Sequence, residues 1–224
     1  MILNVLIACE ESQTECAAFR ALGHNAFSCD VQPCSGGHPE WHVQGDALEI
    51  IDGDAQFFTS DSRYHTIVGG WDLIIAHPPC TYLCKASATL LFDEPNVVNP
   101  ERWKKAMQAK EFFMSMLTAK CNHIAVENPT PIKRIGLPPY TCVVNPYEFG
   151  HPWSKRTCLW LKNLPPLIPT LWCCEYRSFV HTRRGGKRRS KSFAGIAEAM
   201  AVQWSAFVME EKQRKSTIDA TWKQ

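Results

Sequence analysis

A cysteine and a glutamate each follow an apolar, strand-like segment of this chain. Cys80 comes after two prolines at the end of residues 71–80, and Glu127 follows Ile124-Ala-Val126. Such unbroken apolar runs are typical of strands that are buried on both faces. Because ligands bind at the carboxyl ends of strands in an open α/β sheet, Cys80 is a candidate nucleophile and Glu127 a candidate acid. Partial burial of Glu127 would raise its pKa and let it donate a proton near neutral pH.

A carboxylate also ends an earlier strand-like segment. Asp30 closes residues 25–30, and an acidic residue in this position can accept hydrogen bonds from both ribose hydroxyls of an adenosyl cofactor. Asp is also common as the cap of a loop or a helix, so the residue type alone does not decide between the two roles. We expect Asp30, Cys80 and Glu127 to meet at the same edge of one sheet.

The elements that would position these residues alternate between strands and helices. We predict strands over residues 2–8, 25–30, 71–76, 122–126, 141–145 and 157–161, and helices over residues 12–22, 101–119 and 194–211. This alternation predicts an α/β fold with a doubly wound, mostly parallel sheet. We expect a single domain over residues 1–211 and a polar, frayed tail over residues 212–224.

Composition narrows the class of protein. The 224 residues carry a net charge of +2, and no apolar run approaches the roughly 20 residues that a membrane span needs. The first residues lack a basic leader and a cleavage site, so we expect a cytoplasmic protein. We also expect the protein to be a monomer. The eleven cysteines are odd in number, and none forms the paired C-x-x-C spacing of a structural zinc site. We therefore expect neither a complete disulfide framework nor a bound metal.

The two candidate catalytic segments together resemble those of the DNA cytosine-5 methyltransferase family. Pro78-Pro-Cys80 is similar to the turn that holds the family's nucleophile, and Glu127-Asn128 is similar to the turn that holds its acid. The whole pattern, over residues 2–209, also resembles the small methyltransferase-like proteins of bacteriophages and prophages. The resemblance implies a Rossmann-like methyltransferase fold and S-adenosyl-L-methionine as the cofactor. It also implies that the substrate is cytosine C5, in DNA or in a cytosine nucleotide.

The resemblance implies roles for individual residues as well. Asp30 matches the family's ribose-binding acid, and Asp46 matches the residue that contacts the adenine amino group. Arg156 lies in residues 154–159, which resemble the segment that holds the target base, and residues 193–196 resemble the motif that completes the cofactor pocket. The implied catalytic residues are Cys80, Glu127, Asn128 and Arg156, and the implied cofactor-binding residues are Cys9, Glu10, Ser12, Asp30, Asp46 and Pro78.

Two segments depart from the family pattern. Residues 8–13 contain no glycine where the family has a glycine-rich turn, so Glu10 or Glu11 could instead pair with the methionine ammonium group. Only residues 162–192 are left for recognising a target sequence, and much of this segment is a basic loop over residues 177–191. We expect this loop to contact nucleic-acid phosphates with little reading of sequence, through Arg183, Arg184, Lys187, Arg188 and Arg189.

Two other functions remain open. An amino-methyltransferase would use a similar proline turn to hold an exocyclic amino group, but Cys80 stands where that reaction needs an aromatic residue. A non-enzymatic protein that binds nucleic acid or a host protein would explain the absent glycine turn. It would not explain why Cys80 and Glu127 occur together.

Overall fold

The computed structural model of the protein describes residues 1–94, 97–179 and 191–221. In this part of the chain, seven strands form one central sheet, with the bounds β1 Asn4–Ala8, β2 Asn25–Asp30, β3 His42–Gln44, β4 Leu73–Ala76, β5 Ile124–Pro129, β6 Cys142–Val144 and β7 Thr157–Lys162. The strand order is β6-β7-β5-β4-β1-β2-β3. Strands β1 to β5 run parallel to one another, whereas β7 runs antiparallel to β5 and to β6. The predicted Rossmann-like α/β fold with a mostly parallel sheet is confirmed.

Both faces of the central strands are buried, which explains their unbroken apolar runs. In β1, Leu6 belongs to one hydrophobic cluster, whereas Val5 and Ile7 belong to the other. In β4, Ile74 and Ile75 divide between the two clusters in the same way. Successive side chains of a strand point to opposite faces, so each central strand contributes apolar residues to both clusters.

In the described residues, three α-helices cover the two faces of the sheet: α1 Thr14–Ala21, α2 Pro100–Leu117 and α3 Ala194–Thr221. Phe113 of α2 lies in the first cluster, whereas Phe19 of α1 and Trp204 of α3 lie in the second. The indole N–H of the fully buried Trp204 donates to Pro165 O at 3.0 Å. The sheet therefore lies between α2 on one face and α1 with α3 on the other, as expected for a doubly wound fold.

Helix α3 continues beyond the residue at which the sequence predicted its end. A frayed tail was expected from residue 212, but the helix runs to Thr221. Lys212 forms an ion pair with Asp72, and His123 lies 2.9 Å from Glu211. Asp72 and His123 come just before β4 and β5, so these contacts hold the polar end of α3 against the amino-terminal edge of the sheet.

Short elements that the sequence did not predict connect the main strands. Three two-stranded pieces pair Ala55–Phe58 with Tyr64–Ile67, Phe92–Glu94 with Val97–Val98, and Trp153–Ser154 with Arg177–Ser178. Short 3-10 segments cover Pro39–Trp41, Ala47–Glu49, Lys85–Leu91, Lys133–Ile135 and Pro146–Glu148. None of the helices in the described part of the chain combines the length and the apolar character needed to cross a lipid bilayer.

Candidate active site

A cavity of about 1250 Å³ opens at the carboxyl-terminal edge of the sheet, beside β1, β2 and β4. The strand order reverses here, because β2 lies on one side of β1 and β4 on the other. Open α/β sheets bind ligands at such a switch point. The cavity wall includes seven of the predicted site residues, namely Cys9, Glu10, Ser12, Asp30, Asp46, Cys80 and Arg156. It does not include Pro78, Glu127 or Asn128, the other three of the ten predicted catalytic and cofactor-binding residues.

The turn after β1 has a glycine-like backbone although it contains no glycine. Cys9 has a φ of 61° and Gln13 a φ of 59°, both in the left-handed region. This conformation costs a residue other than glycine about 1 kcal/mol, so contacts nearby must hold it. The Gln13 side chain donates to His38 O at 2.8 Å and accepts from His38 N–H at 3.0 Å. Two residues of the turn thus adopt the left-handed backbone that glycine favours, although the turn contains no glycine.

A neighbouring loop holds this turn through a close approach at Gly36. A Cβ at Gly36 would lie 2.6 Å from Ser12 O, so a larger residue does not fit. Next to it, Ser35 N–H donates to Glu11 O at 2.7 Å, and Lys191 Nζ donates to Ser35 Oγ at 2.9 Å. The turn, the loop and the segment that leads into α3 are therefore joined at the mouth of the cavity.

The two glutamates of the turn have different surroundings. The Glu10 carboxylate accepts hydrogen bonds from the first turn of α1, from Glu15 N–H at 2.7 Å and Cys16 N–H at 3.3 Å. Burial and the neighbouring Glu15 raise the pKa of Glu10 well above its usual value. Glu11 is 8% exposed, and its Oε2 is buried with no hydrogen-bond partner among the described residues. Because an unpaired buried oxygen is unfavourable, Glu11 rather than Glu10 is suited to take a cationic group of a ligand.

Asp30 and Asp46 line the same part of the cavity. Asp30 ends β2, and one of its oxygens accepts a hydrogen bond from Gln32 N–H at 2.8 Å. Asp46 follows β3, and one of its oxygens accepts from Leu48 N–H at 3.0 Å. Each carboxylate therefore caps a local turn with one oxygen and has a second oxygen to offer. The two roles considered for Asp30, a cap and a ligand group, are compatible in one side chain.

The predicted nucleophile is paired with Cys84, which the sequence analysis did not single out. The chain turns after Cys80, and Cys84 N–H donates to Cys80 O at 3.0 Å. A hydrogen bond between the two thiol groups, together with burial, raises the pKa of Cys80. The same hydrogen bond lowers the pKa of Cys84 to about 5 against the effect of burial, and Ser87 Oγ lies 3.8 Å from its sulfur. The two thiol groups are therefore coupled, so that loss of the proton from one sulfur disfavours its loss from the other. In the sequence, Cys84 follows Cys80 by four residues after a proline turn, and this spacing could have indicated the pair.

Glu127 is ion-paired, contrary to the raised pKa that the sequence predicted. The parallel register of Ala76 with Val126 sets the next residues side by side, and His77 Nδ1 lies 3.0 Å from Glu127 Oε1. Burial alone would raise the pKa of Glu127, but the charge of His77 and its hydrogen bond lower that pKa below its usual value. The expectation of a protonated Glu127 is therefore wrong, because its neighbour holds the proton.

His77 also faces a second carboxylate. Its Nε2 lies 3.5 Å from Oε1 of the fully buried Glu15. Burial alone would lower the pKa of His77, but the charges of Glu127 and Glu15 raise it to about 9. The sequence analysis did not single out Glu15, which lies in the first turn of α1.

Asn128 and Arg156, the other two predicted catalytic residues, have different roles. Asn128 is buried opposite Cys158 of β7, and its side-chain amide donates to Pro129 O at 2.5 Å. It therefore shapes the turn at the end of β5. Arg156 lies in the cavity wall and donates to the Tyr140 hydroxyl at 3.0 Å, so its guanidinium is held beside the cavity.

The cavity wall contains charged side chains of both signs. Its acidic residues include Glu11, Asp30 and Asp46, which lie at or after the ends of β1, β2 and β3, and its cationic residues come from other segments: Lys85, Arg102, Lys155, Arg156 and Lys191. This lining suits ligands that carry both a cationic group and a phosphate. The predicted phosphate contacts Arg183, Arg184, Lys187, Arg188 and Arg189 lie outside the described residues.

Within residues 1–94, 97–179 and 191–221, no group of three or more His, Cys, Asp or Glu side chains is arranged to hold a metal ion. All eleven cysteines are free thiols. The groups that line the cavity include thiols, carboxylates, an imidazole and cations.

Comparison with known proteins finds similarity in structure and not in sequence. No protein-family model matches the chain, and no curated protein matches it. Among solved structures, the methyltransferase EhMeth of Entamoeba histolytica is similar, with a TM-score of 0.42 and 14% sequence identity over 77% of this chain. The match spans 58% of the length of that structure. A likeness this distant is no guide to a reaction or a substrate.

Proposed function

We propose that the protein is an S-adenosyl-L-methionine-dependent methyltransferase that modifies C5 of cytosine through a covalent bond between Cys80 and C6. The observation that supports this most directly is that the cavity wall contains both Cys80 and His77, the partner of Glu127. Addition across the C5–C6 bond of cytosine requires a sulfur nucleophile and a proton source for N3, which these groups offer. The substrate is cytosine in DNA or in a cytosine nucleotide.

The acidic residues of the cavity wall fit the cofactor. Asp30 and Asp46 offer carboxylate oxygens to ribose hydroxyls and an adenine amino group, and the unpaired Oε2 of Glu11 offers a partner for the methionine ammonium group. The left-handed backbone at Cys9 turns the chain as glycine would. A volume of about 1250 Å³ exceeds the roughly 300–1000 Å³ of common small-molecule sites, which leaves room for a base beside the cofactor. When bound, the cofactor supplies an electrophilic methyl group.

In this proposal Cys84 activates Cys80. The hydrogen-bonded pair holds one proton between its two sulfurs, and Cys80 adds to C6 as a thiolate when that proton lies on Cys84. A proton held by Glu127 and His77 passes to N3, so that the electrons of the C5–C6 double bond collect at C5 as part of an enamine. Once C5 carries a methyl group, its proton passes to water and the C6–S bond breaks. Cys80 then leaves as a thiolate that regains the proton held by Cys84, and the proton on N3 returns to Glu127 and His77.

The cationic residues of the cavity wall favour a substrate that carries phosphate. Lys155 and Arg156 precede β7, Lys191 precedes α3, and all three lie in the wall. Arginine and lysine bind phosphate oxygens through charge-assisted hydrogen bonds. A duplex substrate would additionally need its cytosine to be flipped out of the base stack.

Covalent trapping tests the proposal. Oligonucleotides that contain 5-fluorocytosine should form a stable adduct in the presence of S-adenosyl-L-methionine, because fluorine at C5 cannot leave as a proton does. The variant Cys80→Ser should form no adduct. The matched control Cys142→Ser, which changes a free cysteine in β6, should form it at the wild-type rate. Circular dichroism checks that both variants fold.

The same experiment separates the alternatives. If no adduct forms on duplex, single-stranded or nucleotide substrates and calorimetry detects no cofactor binding, the enzyme proposal fails and a nucleic-acid or host-protein binding module is favoured. If mass spectrometry of digested DNA finds the methyl group on N4, the protein is an amino-methyltransferase.

A further inference from the structure

Three ionisable side chains lie in a row that starts behind the cavity wall, and of the three only His77 lines the cavity itself. They come from three elements: Glu15 from α1, His77 from the end of β4 and Glu127 from β5. His77 Nδ1 is 3.0 Å from Glu127 and Nε2 is 3.5 Å from Glu15, and the three side chains are 0%, 10% and 18% exposed in chain order. The His77 backbone N–H donates to Ala8 O at 2.9 Å, which fixes the residue at the end of its strand. An imidazole between two carboxylates can hold a proton where water has little access.

We propose that Glu15, His77 and Glu127 form a proton-holding triad, in which His77 supplies the proton that Glu127 passes to N3 of cytosine and takes it back when the product forms. This inference rests on the proposed function, because it names the source of a proton which that reaction needs. In the free protein, protonated His77 pairs with ionised Glu127. Cytosine N3 presents a lone pair, so its binding favours transfer of the proton from Nδ1 to the Glu127 carboxylate and onward to N3. The triad has no net gain or loss of a proton over the cycle, since elimination returns the proton of N3; the proton that the reaction releases comes from C5 and passes to water.

Glu15 is the positioning residue of the triad. Neither of its carboxylate oxygens has a hydrogen-bond partner among the described residues, and His77 Nε2 is likewise without one. A buried carboxylate without hydrogen bonds is unfavourable unless a nearby charge offsets it. The Glu15 carboxylate faces Nε2, so it keeps Nδ1 directed toward Glu127 and favours a protonated ring until a base enters.

Other ionisable residues interact with His77 or with its two carboxylate partners, and they differ in whether they favour a protonated His77. Lys155, on the segment before β7, opposes protonation of His77 and also lowers the pKa of Glu127. Glu10, on the turn after β1, lies behind Glu15 and interacts with it. Cys80, on the turn after β4, interacts with Glu127 from the cavity side. The two carboxylates in direct contact outweigh Lys155, and they raise the pKa of His77 to about 9.

Nitrogen-15 NMR of the His77 imidazole, followed against pH in the wild-type protein, tests the triad without any substrate. The ring should titrate near pH 9 instead of the ordinary value of about 6.5. In Glu15→Gln, which keeps the shape of the side chain and removes its charge, the midpoint should fall by roughly 1 to 2 pH units. A wild-type midpoint near the ordinary value, or an unchanged midpoint in Glu15→Gln, would overturn the triad whatever the protein catalyses.

The pH profile of adduct formation in single turnovers tests its role in the reaction. The wild-type rate should hold until the pH passes about 9, where the triad loses its proton. His77→Asn keeps a side-chain N–H but cannot hold an extra proton, so its rate should begin to fall at least roughly 2 pH units lower. His123→Asn is the matched control, because His123 is also buried and paired with a carboxylate, that of Glu211, at the opposite edge of the sheet. Its profile should stay in place.

The outcomes of this profile separate the two proposals. A wild-type protein that forms no adduct contradicts the proposed function. A wild-type protein that forms the adduct, together with a His77→Asn variant whose pH profile is unchanged, contradicts the triad alone.

Discussion

The variant His77→Asn should lower the free energy of unfolding by an amount that depends on pH. In the folded protein the pKa of His77 is about 9, because Glu127 and Glu15 outweigh the effect of burial. In the unfolded chain the pKa of histidine is about 6.5. Because the folded pKa is the higher one, the stabilisation is complete below about pH 6.5 and is lost as the pH rises through about 9.

Proton linkage gives the magnitude. The difference in pKa stabilises the folded protein by about 3 kcal/mol at pH 6.5, by about 1 kcal/mol at pH 8 and hardly at all by about pH 9.5. The lowered pKa of Glu127 reports the same contact, so its effect is not added. Burial also raises the pKa of thiols such as Cys9 and Cys16, which costs stability at alkaline pH in both proteins. The difference between wild type and variant therefore isolates His77.

Urea unfolding of wild type and His77→Asn, followed by tryptophan fluorescence in the presence of a reductant, measures this difference. The two free energies of unfolding should differ most at pH 6.5 and converge by about pH 9.5. The reasoning is refuted by a difference that stays constant over this range, which would mean that His77 contributes only packing. A difference that grows with pH would refute the sign of the pKa shift.

Three further predictions concern single residues. Cys84→Ala should slow adduct formation at pH 7 by roughly 100-fold and leave cofactor affinity unchanged, because the Cys80 thiol then lacks its proton acceptor; an unchanged rate in single turnovers would exclude Cys84 as that acceptor. Glu11→Gln should weaken S-adenosyl-L-methionine binding by roughly tenfold in calorimetry, since a hydrogen bond to a charged group is lost, and equal Kd values would show that Glu11 does not hold the ammonium group. Gly195→Ala should lower the free energy of unfolding by more than about 2 kcal/mol in urea titrations, because a Cβ there would lie 2.0 Å from Phe149 O; a loss below about 0.5 kcal/mol would show that the start of α3 adjusts freely.

The sheet and the residues at its edge could be predicted because their causes are local. Polar and apolar residues do not alternate in β1 and β4, and this identifies them as strands that are covered on both faces. The prolines before Cys80 show where β4 ends. The end of α3 could not be predicted in this way. Lys212 is polar and looks like part of a tail, and its partner Asp72 lies on a distant segment of the chain.

The residue types of the site could also be predicted, but not its protonation. Cys80 and Glu127 were identified from where they follow strands. The state of Glu127 depends on His77 beside it and on Glu15, which reaches the site from a helix far away in sequence. Periodicity and propensity contain no information on such a contact, because burial and charge act across the packed elements and not along the chain.

The left-handed turn after β1 has a consequence for how other chains that form such a turn can be found from their sequences. Cys9 and Gln13 adopt φ angles that glycine adopts at no steric cost, and contacts with His38 hold Gln13 in place. A sequence pattern that requires glycine at this point would pass over this protein, although two of its residues adopt the left-handed backbone that glycine favours. Local dihedral angles are therefore a better criterion than residue identity for finding other chains that form such a turn without glycine.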